Sequence, residues 1–219
     1  LTNVHGSQIV FDAAVKGKAR KIFYASTAAV YSPKTTLQSE DSVVAPDDIY
    51  GVTKLAGEVL ASAIHRRHKI PIAIGRFFNA VGPRETNPHL LPDILTQLKK
   101  NPTTLALGNL TPKRDYIHVD DIASAIFAMA TASDRSLIAN IGSGKSYSVK
   151  EVVALFEKAL GRTIEIQADP KKQRRSDRPQ LRANCTLLRS KTGWMPMIDL
   201  NQSVRELVQK LKLPNGASE

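Results

Sequence analysis

Lys21-Ile-Phe-Tyr-Ala-Ser-Thr27 is the stretch of sequence that decides the fold of this chain. Its apolar part, residues 21–25, is typical of a buried strand, and the strand ends in the hydroxyl pair Ser26-Thr27. A long amphipathic helix is predicted from Tyr50 to about His68, and Ile70-Pro-Ile-Ala-Ile74 is a second apolar strand. Strands that alternate with helices predict an α/β protein with a parallel sheet.

The same periodicities predict further elements downstream. Ser148-Val-Lys-Glu151 is a capping box, which starts a helix that ends at Gly161. Another helix is expected to begin at Asp120 or Asp121, whose side chain can cap free N–H groups. Further helices are predicted at 90–100, 186–192 and 200–211, and short strands at 105–107, 116–119, 139–142 and 164–167.

Composition restricts the classes of protein to which the chain can belong. Of 219 residues, 42% are hydrophobic, which is enough for a packed core. No apolar run approaches the roughly 18 residues that a membrane span needs, and we find no targeting pattern at residues 1–6. The single cysteine, Cys185, excludes an internal disulfide and a cysteine-based zinc cluster. We therefore expect a cytoplasmic globular protein with no membrane segment and no metal.

The positive charge is concentrated in one stretch. The chain carries a net charge of +11, and the segment from Arg162 to Lys191 holds more than half of it. Nucleic-acid surfaces usually interleave aromatic side chains with basic ones, and this segment has no aromatic residue. The charge therefore favours a phosphorylated ligand over nucleic acid. A solvated basic loop is the alternative.

Chemistry is first indicated by Tyr50-Gly-Val-Thr-Lys54. Positions four apart share one face of a helix, so the Lys54 ammonium can lie beneath the Tyr50 phenol and favour its phenolate form. Such a pair can transfer protons near neutral pH. The pair Ser26-Thr27, at the mouth of the preceding strand, could share a proton with the same substrate oxygen. The alternatives are a solvated Tyr–Lys pair and a hydroxyl pair that only forms a turn.

Five segments together resemble a known family. In chain order they are similar to motifs of the extended short-chain dehydrogenase/reductases, in the nucleotide-sugar epimerase/dehydratase branch. The resemblance covers the chain almost from end to end, from Asn3 to Trp194. The segments are Phe23-Tyr-Ala-Ser-Thr-Ala-Ala-Val-Tyr31, Tyr50-Gly-Val-Thr-Lys54, Arg76-Phe-Phe-Asn-Ala-Val-Gly-Pro83, Arg114-Asp-Tyr-Ile-His-Val-Asp-Asp121 and Asn140-Ile-Gly-Ser-Gly144.

The resemblance implies a Rossmann-like parallel sheet with a smaller α+β substrate-binding domain. Residues 1–80, with 117–142 returning to them, would be the C-terminal part of an NAD-binding domain, and residues 81–219 would bind the nucleotide sugar. Family members begin with a Gly-x-x-Gly-x-x-Gly turn that cradles the NAD pyrophosphate, and this chain has none. We therefore expect the first three strands to be absent, the strand at 21–25 to be an exposed edge, and the 219 residues alone to bind no NAD.

The resemblance also implies roles for single residues at the catalytic centre. Tyr50 would be the acid/base, Lys54 its supporting cation and a ligand of the nicotinamide ribose, and Thr27 the hydroxyl beside the reacting sugar oxygen. Ser26 and Phe78 would join these three residues at the NAD cofactor.

A second set of residues is implied for the nucleotide sugar. Asn79, Arg114 and Arg174 match residues that contact its diphosphate, and forked guanidinium groups suit that ligand. Asp177 would lie near the nucleotide ribose. Asn87-Pro-His-Leu90 stands where many epimerases carry an Asn-Asn-Leu run, which makes His89 and Leu90 the candidates there.

The two residues after Thr27 bear on the type of reaction. Relatives that eliminate water place an Asp-Glu pair there and decarboxylating relatives a Glu, whereas this chain has Ala28-Ala29. This leaves 4-epimerisation, or reduction of a 4-keto sugar, with the nucleotide base open. A non-catalytic remnant or an interaction module is the alternative from another class. Relatives dimerise through two helices that correspond to residues 3–16 and 50–68, so a homodimer is expected.

Overall fold

The computed structural model describes residues 2–33, 37–85, 87, 89–132, 135–172 and 178–211. A π-helical turn, Thr2–Gly6, comes before the first helix, and a 3-10 turn, Ala28–Val30, follows the first strand. The helices are α1 (Ser7–Lys16), α2 (Ile49–His68), α3 (Leu90–Lys100), α4 (Val119–Thr131), α5 (Val149–Leu160), α6 (Thr186–Thr192) and α7 (Leu200–Gln209). The strands are β1 (Ile22–Thr27), β2 (Ile72–Phe77), β3 (Asn79–Val81), β4 (Thr104–Leu107), β5 (Lys113–His118), β6 (Leu137–Ile141), β7 (Ser146–Ser148), β8 (Glu165–Ala168) and β9 (Gln180–Leu181).

The main sheet is parallel, with the strand order β1-β2-β6. Its register pairs Ser26 with Arg76, and Arg76 with Asn140, so three polar residues lie side by side across the sheet. Among the described residues β1 forms one edge of this sheet, as the sequence predicts. The prediction of an α/β protein with a parallel sheet is confirmed.

A second group of strands lies after β2 in the chain. Strand β5 pairs in parallel with β3 and β9 and antiparallel with β7, and β4 pairs in parallel with β8. This mixed arrangement agrees with the expected α+β portion. The division of the chain at residue 80, with 117–142 returning to the first part, stays a prediction.

One buried cluster lies against the main sheet and another against the second group of strands. Ile72 and Ile74 of β2 pack with Phe11 and Tyr24 in the cluster beneath α1 and α2. The core of the second group brings together side chains from three helices, α3, α5 and α7, with β4 and β5. Apolar residues at helical spacing therefore bury one face of each helix against strands or other helices.

Two helix starts show where local prediction succeeds and where it fails. The capping box at Ser148 is confirmed, because its hydroxyl accepts from the Glu151 amide (3.1 Å) while the Glu151 carboxylate accepts from the Ser148 amide (2.7 Å). The prediction that Asp120 or Asp121 caps α4 is wrong. The cap is His118, whose ring nitrogen Nδ1 accepts from the Asp120 amide at 3.2 Å. Asp121 instead accepts from the amides of Met197 and Ile198, a tertiary contact that periodicity does not reveal.

The described ranges contain neither a candidate membrane span nor a candidate metal cluster. None of the helices there is long and apolar enough to span a bilayer. In the same ranges, no three His, Cys, Asp or Glu side chains come together in a group that could hold a metal ion.

Candidate active site

Helix α2 carries the predicted acid/base pair on one face. Asp48 starts the helix by accepting from the Gly51 amide at 2.5 Å. Lys54 Nζ donates to the Ala25 carbonyl of β1 at 2.9 Å and lies 6.0 Å from the centre of the Tyr50 ring. Tyr50 is 50% exposed, so its phenol is open to solvent. The structure thus brings Tyr50 and Lys54 together beside the C-terminal half of β1.

Lys54 sits in a partly desolvated position. The Tyr24 hydroxyl donates to the Lys54 carbonyl at 3.2 Å, and Lys54 Nζ lies 5.5 Å from the centre of the Tyr24 ring. Burial lowers the pKa of the Lys54 ammonium, because removal of water disfavours the charged form. The cation is therefore held on β1 and loses its proton at a lower pH than an exposed lysine does.

Thr27 ends β1 and begins the turn that follows. Its hydroxyl oxygen accepts from the Ala29 amide at 3.1 Å and so caps the 3-10 turn at 28–30. Helix α2 approaches this turn closely at Gly51, where an added Cβ would lie 2.6 Å from the Ala29 carbonyl oxygen. Only glycine avoids that clash, so Gly51 sets the short distance between the Thr27 turn and the start of the helix that carries Tyr50.

Ser26 points into the interior. Its side chain donates to Glu58 Oε1, and the residue is 2% exposed. Glu58 is also held by Arg76, with Nε to Oε1 at 3.0 Å and Nη2 to Oε2 at 2.7 Å. The Ser26 hydroxyl is therefore hydrogen-bonded to the carboxylate of a buried ion pair. Its predicted contact with the cofactor stays a prediction.

The ion pair extends into a wider buried network. Arg76 Nη1 donates to the Tyr31 hydroxyl at 3.1 Å, and that hydroxyl donates to Asn140 Oδ1 at 2.7 Å. Burial alone would lower the pKa of Arg76, but its hydrogen bonds to Glu58 raise the pKa above the ordinary value. Burial also raises the pKa of Tyr31. Sequence reasoning missed Glu58, although it continues the four-residue spacing of Tyr50 and Lys54.

Phe78 and Asn79 lie where the chain passes from the main sheet to the second group of strands. Phe78 is buried and packs with Tyr31 and Leu181, among others, and its amide donates to the Ile141 carbonyl at 3.0 Å. Asn79 is the first residue of β3 and pairs with Tyr116 of β5. The passage of the chain from β2 of the main sheet to β3 of the second group positions both residues. Their roles toward NAD and the diphosphate stay predictions.

Arg114, His89 and Leu90, three of the predicted substrate residues, lie on or next to different elements. Arg114 lies on β5 and donates through Nη1 to the carbonyls of Lys113 (3.0 Å) and Arg178 (2.7 Å). His89 is the residue before α3, and its exposed side chain makes no capping hydrogen bond. Leu90 packs against the core beneath α3, so it serves the fold directly. Arg174 and Asp177 lie outside the described residues.

Asp115 is a buried neighbour of Arg114 that sequence reasoning missed. It is fully buried, and its carboxylate accepts from the Ser143 amide (2.8 Å) and hydroxyl (2.6 Å), from the Gly144 amide (2.9 Å) and from the Ala183 amide (3.0 Å). Burial raises the pKa of Asp115, although these hydrogen bonds oppose the shift. Asp115 therefore fixes the 142–144 turn and residue 183 next to Arg114.

Comparison with known proteins gives consistent matches. A family model described as GDP-mannose 4,6 dehydratase matches residues 1–207. The chain is 31% identical over 203 residues to dTDP-glucose 4,6-dehydratase from Streptomyces griseus, covering 91% of this chain and 61% of that protein. It is 31% identical over 218 residues to UDP-glucose 4-epimerase from Azospirillum brasilense, covering 90% of this chain and 62% of that protein.

A solved structure is also similar to this chain. UDP-glucuronic acid 4-epimerase from Bacillus cereus, in complex with UDP-glucuronic acid and NAD, superimposes with a TM-score of 0.87 and 26% identity. The match covers 96% of this chain and 67% of that one. The chain spans a little over 60% of the length of the two curated relatives. The relatives include dehydratases, epimerases and a reductase.

Proposed function

The chain belongs to the GDP-mannose 4,6 dehydratase family, and from this premise we propose that it carries the catalytic and substrate-binding residues of an NAD-dependent nucleotide-sugar 4-epimerase. One observation carries the proposal. Tyr50 and Lys54 lie on α2 beside the end of β1, and the turn after Thr27 holds two alanines. The site thus offers a proton-transfer group and a neighbouring hydroxyl, and positions 28 and 29 supply no additional acid or base.

The residues present fit one end of the cofactor. Lys54 is held on β1 next to the exposed Tyr50, so both can face a nicotinamide ribose at the carboxyl end of the parallel sheet. The chain contains no glycine-rich turn for the pyrophosphate. Tyr50, Lys54 and Thr27 would hold the nicotinamide end, with Phe78 as a neighbour. Acceptance and return of a hydride at the sugar carbon is the chemistry that NAD would supply there.

The chain's own residues would handle the proton. Tyr50 would take the proton of the sugar 4-hydroxyl and give it back, which is general base and general acid catalysis by one group. The Lys54 cation would stabilise the phenolate in between. The Thr27 hydroxyl would hold the same sugar oxygen by a hydrogen bond, because the cap to Ala29 uses the Thr27 oxygen as acceptor and leaves its O–H free to donate.

The two alanines favour epimerisation over dehydration. Elimination of water from a neighbouring carbon requires a group that protonates the leaving hydroxyl and a group that removes a proton. Ala28 is buried and Ala29 is half-buried, and neither can do this. Reduction of a 4-keto sugar needs only the residues present, so it is the second candidate function.

Nucleotide-diphosphate binding is the first test of the proposal. Isothermal titration of the 219-residue chain with UDP, GDP and CDP should give binding to at least one of them, and the nucleotide that binds identifies the base. Arg114→Ala should weaken that binding about 10- to 150-fold, since a charge-assisted hydrogen bond contributes about 1.5–3 kcal/mol. Arg205→Ala, an exposed arginine on α7, is the matched control. No binding of any nucleotide would leave the interaction-module hypothesis.

Turnover is the second test, and it uses the protein purified from its natural source. NMR analysis of the sugar after incubation with NAD should show interconversion of C4 epimers. Tyr50→Phe should remove most turnover, and Lys54→Met should weaken it. A dehydrated sugar as the product would contradict the proposal, and a 4-keto sugar that is only reduced would favour the second candidate.

A homodimer and a cytoplasmic location are the remaining parts of the proposal. Helices α1 and α2 expose apolar side chains, among them Ile9 and Val10 on α1 and Val52 and Val59 on α2. Exposed apolar patches of this kind mark interfaces. Sedimentation velocity should give a dimer that Val59→Glu converts to a monomer, and a monomer of the unsubstituted chain at high concentration would contradict it.

A further inference from the structure

Arg178 connects the turn after β1 to the predicted substrate residues. Its Nη1 donates to the Tyr31 carbonyl at 2.8 Å and its Nη2 to the Ala29 carbonyl at 3.4 Å. The same Nη2 forms an ion pair with Asp47. The Arg178 side chain is 12% exposed, although it belongs to the basic stretch that the sequence would allow to be a solvated loop.

The three acceptors of Arg178 lie in the turn after Thr27 and next to the start of α2. Ala29 and Tyr31 belong to the turn that Thr27 caps, and Asp47 comes just before the start of α2, three residues from Tyr50. A planar guanidinium can donate to several acceptors at once in a fixed geometry, whereas a lysine ammonium is a single point charge. Arg178 therefore holds the turn and the start of α2 in one arrangement.

The main chain of Arg178 is held from the opposite side. Arg114 Nη1 donates to the Arg178 carbonyl at 2.7 Å, and the Lys113 amide donates to the Pro179 carbonyl at 2.9 Å. Strand β9 then continues beside β5, with Arg114 opposite Leu181. The candidate diphosphate residue and the catalytic turn are thus separated by a single residue, which contacts both.

From these contacts, and resting on the proposed function, we infer that Arg178 is a positioning residue that links a nucleoside diphosphate bound at Arg114 to the turn at 28–31. A diphosphate that engages the Arg114 guanidinium acts on the group that holds the Arg178 carbonyl. The Arg178 side chain then transmits the added constraint to the turn beside Thr27 and Tyr50. Substrate binding would in this way tighten the catalytic turn.

Amide hydrogen exchange in the 219-residue chain tests this link without any turnover. The Ala29 amide, bonded to Thr27, and the Tyr31 amide, bonded to the Ala28 carbonyl, are the reporters. Arg178→Ala should speed their exchange by about tenfold or more, while amides of α5 stay unchanged. A saturating amount of the nucleotide that binds, UDP, GDP or CDP, should slow both reporters about threefold in the wild type and leave them unchanged in Arg178→Ala.

A milder pair of variants covers the case in which Arg178→Ala does not fold. Asp47→Asn removes the ion pair but keeps both carbonyl contacts, so it should speed the two reporters by about threefold. Asp93→Asn is the matched control, because Asp93 is also a half-exposed partner in a surface ion pair, with Lys172. It should leave the reporters unchanged.

The outcomes separate the two proposals. If no nucleotide binds the wild type, the proposed function fails and the link fails with it. If a nucleotide binds but slows Ala29 and Tyr31 equally in the wild type and in Arg178→Ala, only the link is overturned. Unchanged exchange in the free Arg178→Ala and Asp47→Asn variants also overturns it.

Discussion

The two halves of one helix face behave differently in this protein. Tyr50 is half exposed, and Lys54, one turn later on α2, is half-buried beside it. Glu58, one further turn along the same row, is buried with Arg76 and Ser26. The exposed half leaves the Tyr50 hydroxyl open to a ligand, whereas in the buried half the charges of Glu58 and Arg76 are paired with each other.

The difference shows how burial assigns roles to similar side chains. A buried charge requires a partner, so Glu58 and Arg76 are fixed by each other and by the Ser26 and Tyr31 hydroxyls. An exposed phenol keeps its freedom because water satisfies it. The buried half joins α2 to β1 and β2, and that attachment determines where Tyr50 and Lys54 stand.

Breaking the buried ion pair should have the largest effect. Arg76→Met leaves the Glu58 carboxylate unpaired in the interior and should lower the free energy of unfolding by about 3–5 kcal/mol. Lys172→Met, at an ion pair whose side chains are 35% and 36% exposed, is the control and should change it by less than about 1 kcal/mol. Urea unfolding at pH 7 measures both. A loss below about 1 kcal/mol in Arg76→Met would show that the two halves do not differ in this way.

Overpacking the buried half should have the next largest effect. An added Cβ at Gly57 would lie 1.9 Å from the Tyr24 hydroxyl oxygen and 2.4 Å from its Cζ, so Gly57→Ala should destabilise the protein by about 1–3 kcal/mol. At Gly6 the nearest atom would be at 3.9 Å, and Gly6→Ala should not destabilise. Thermal unfolding of the two variants compares them. Equal melting temperatures would contradict the close approach of α2 to Tyr24.

One substitution made at two tyrosines compares the regions directly. Tyr31→Phe removes a fully buried hydroxyl that accepts from Arg76 and donates to Asn140, and it should cost about 1–3 kcal/mol of stability. Tyr50→Phe removes a hydroxyl from a half-exposed side chain and should change stability by less than about 0.5 kcal/mol. If Tyr50→Phe proved as destabilising as Tyr31→Phe, its proposed role in proton transfer would lose its basis.

The smallest expected effect concerns the titration of Lys54. Because burial lowers its pKa, Lys54 should lose its proton at a lower pH than is ordinary for a lysine side chain. Carbon-13 NMR of the lysine side chains over an alkaline pH series measures each midpoint, and Lys54→Met identifies the signal. Because the proposed turnover needs the Lys54 cation, its rate should fall as the pH rises and Lys54 loses its proton. A Lys54 midpoint at or above the ordinary value for a lysine side chain would contradict the partial burial.

The sequence alone predicted the helices and the longer strands in their order, with several of their bounds, but not the short strands β3, β7 and β9. The helices at 90–100 and 186–192 begin and end where periodicity predicts, and the capping box at Ser148 forms as expected. The pairing of Tyr50 with Lys54 also follows from spacing alone. These features depend on contacts between residues about four positions apart, and the local sequence is sufficient to predict such contacts.

Only the tertiary structure decided which polar residues would be buried and with what partners. Ser26 is hydrogen-bonded to Glu58, which lies 32 positions away in the chain. The hydrogen bonds of Asp115 with Ala183 and of Arg178 with Tyr31 join residues that lie 68 and 147 positions apart. Spacing carries no information about such pairs, and composition would place charged residues at the surface. Glu58 and Asp115 are buried, and the Arg178 side chain is only 12% exposed, because the fold supplies enough hydrogen-bond partners to offset their desolvation.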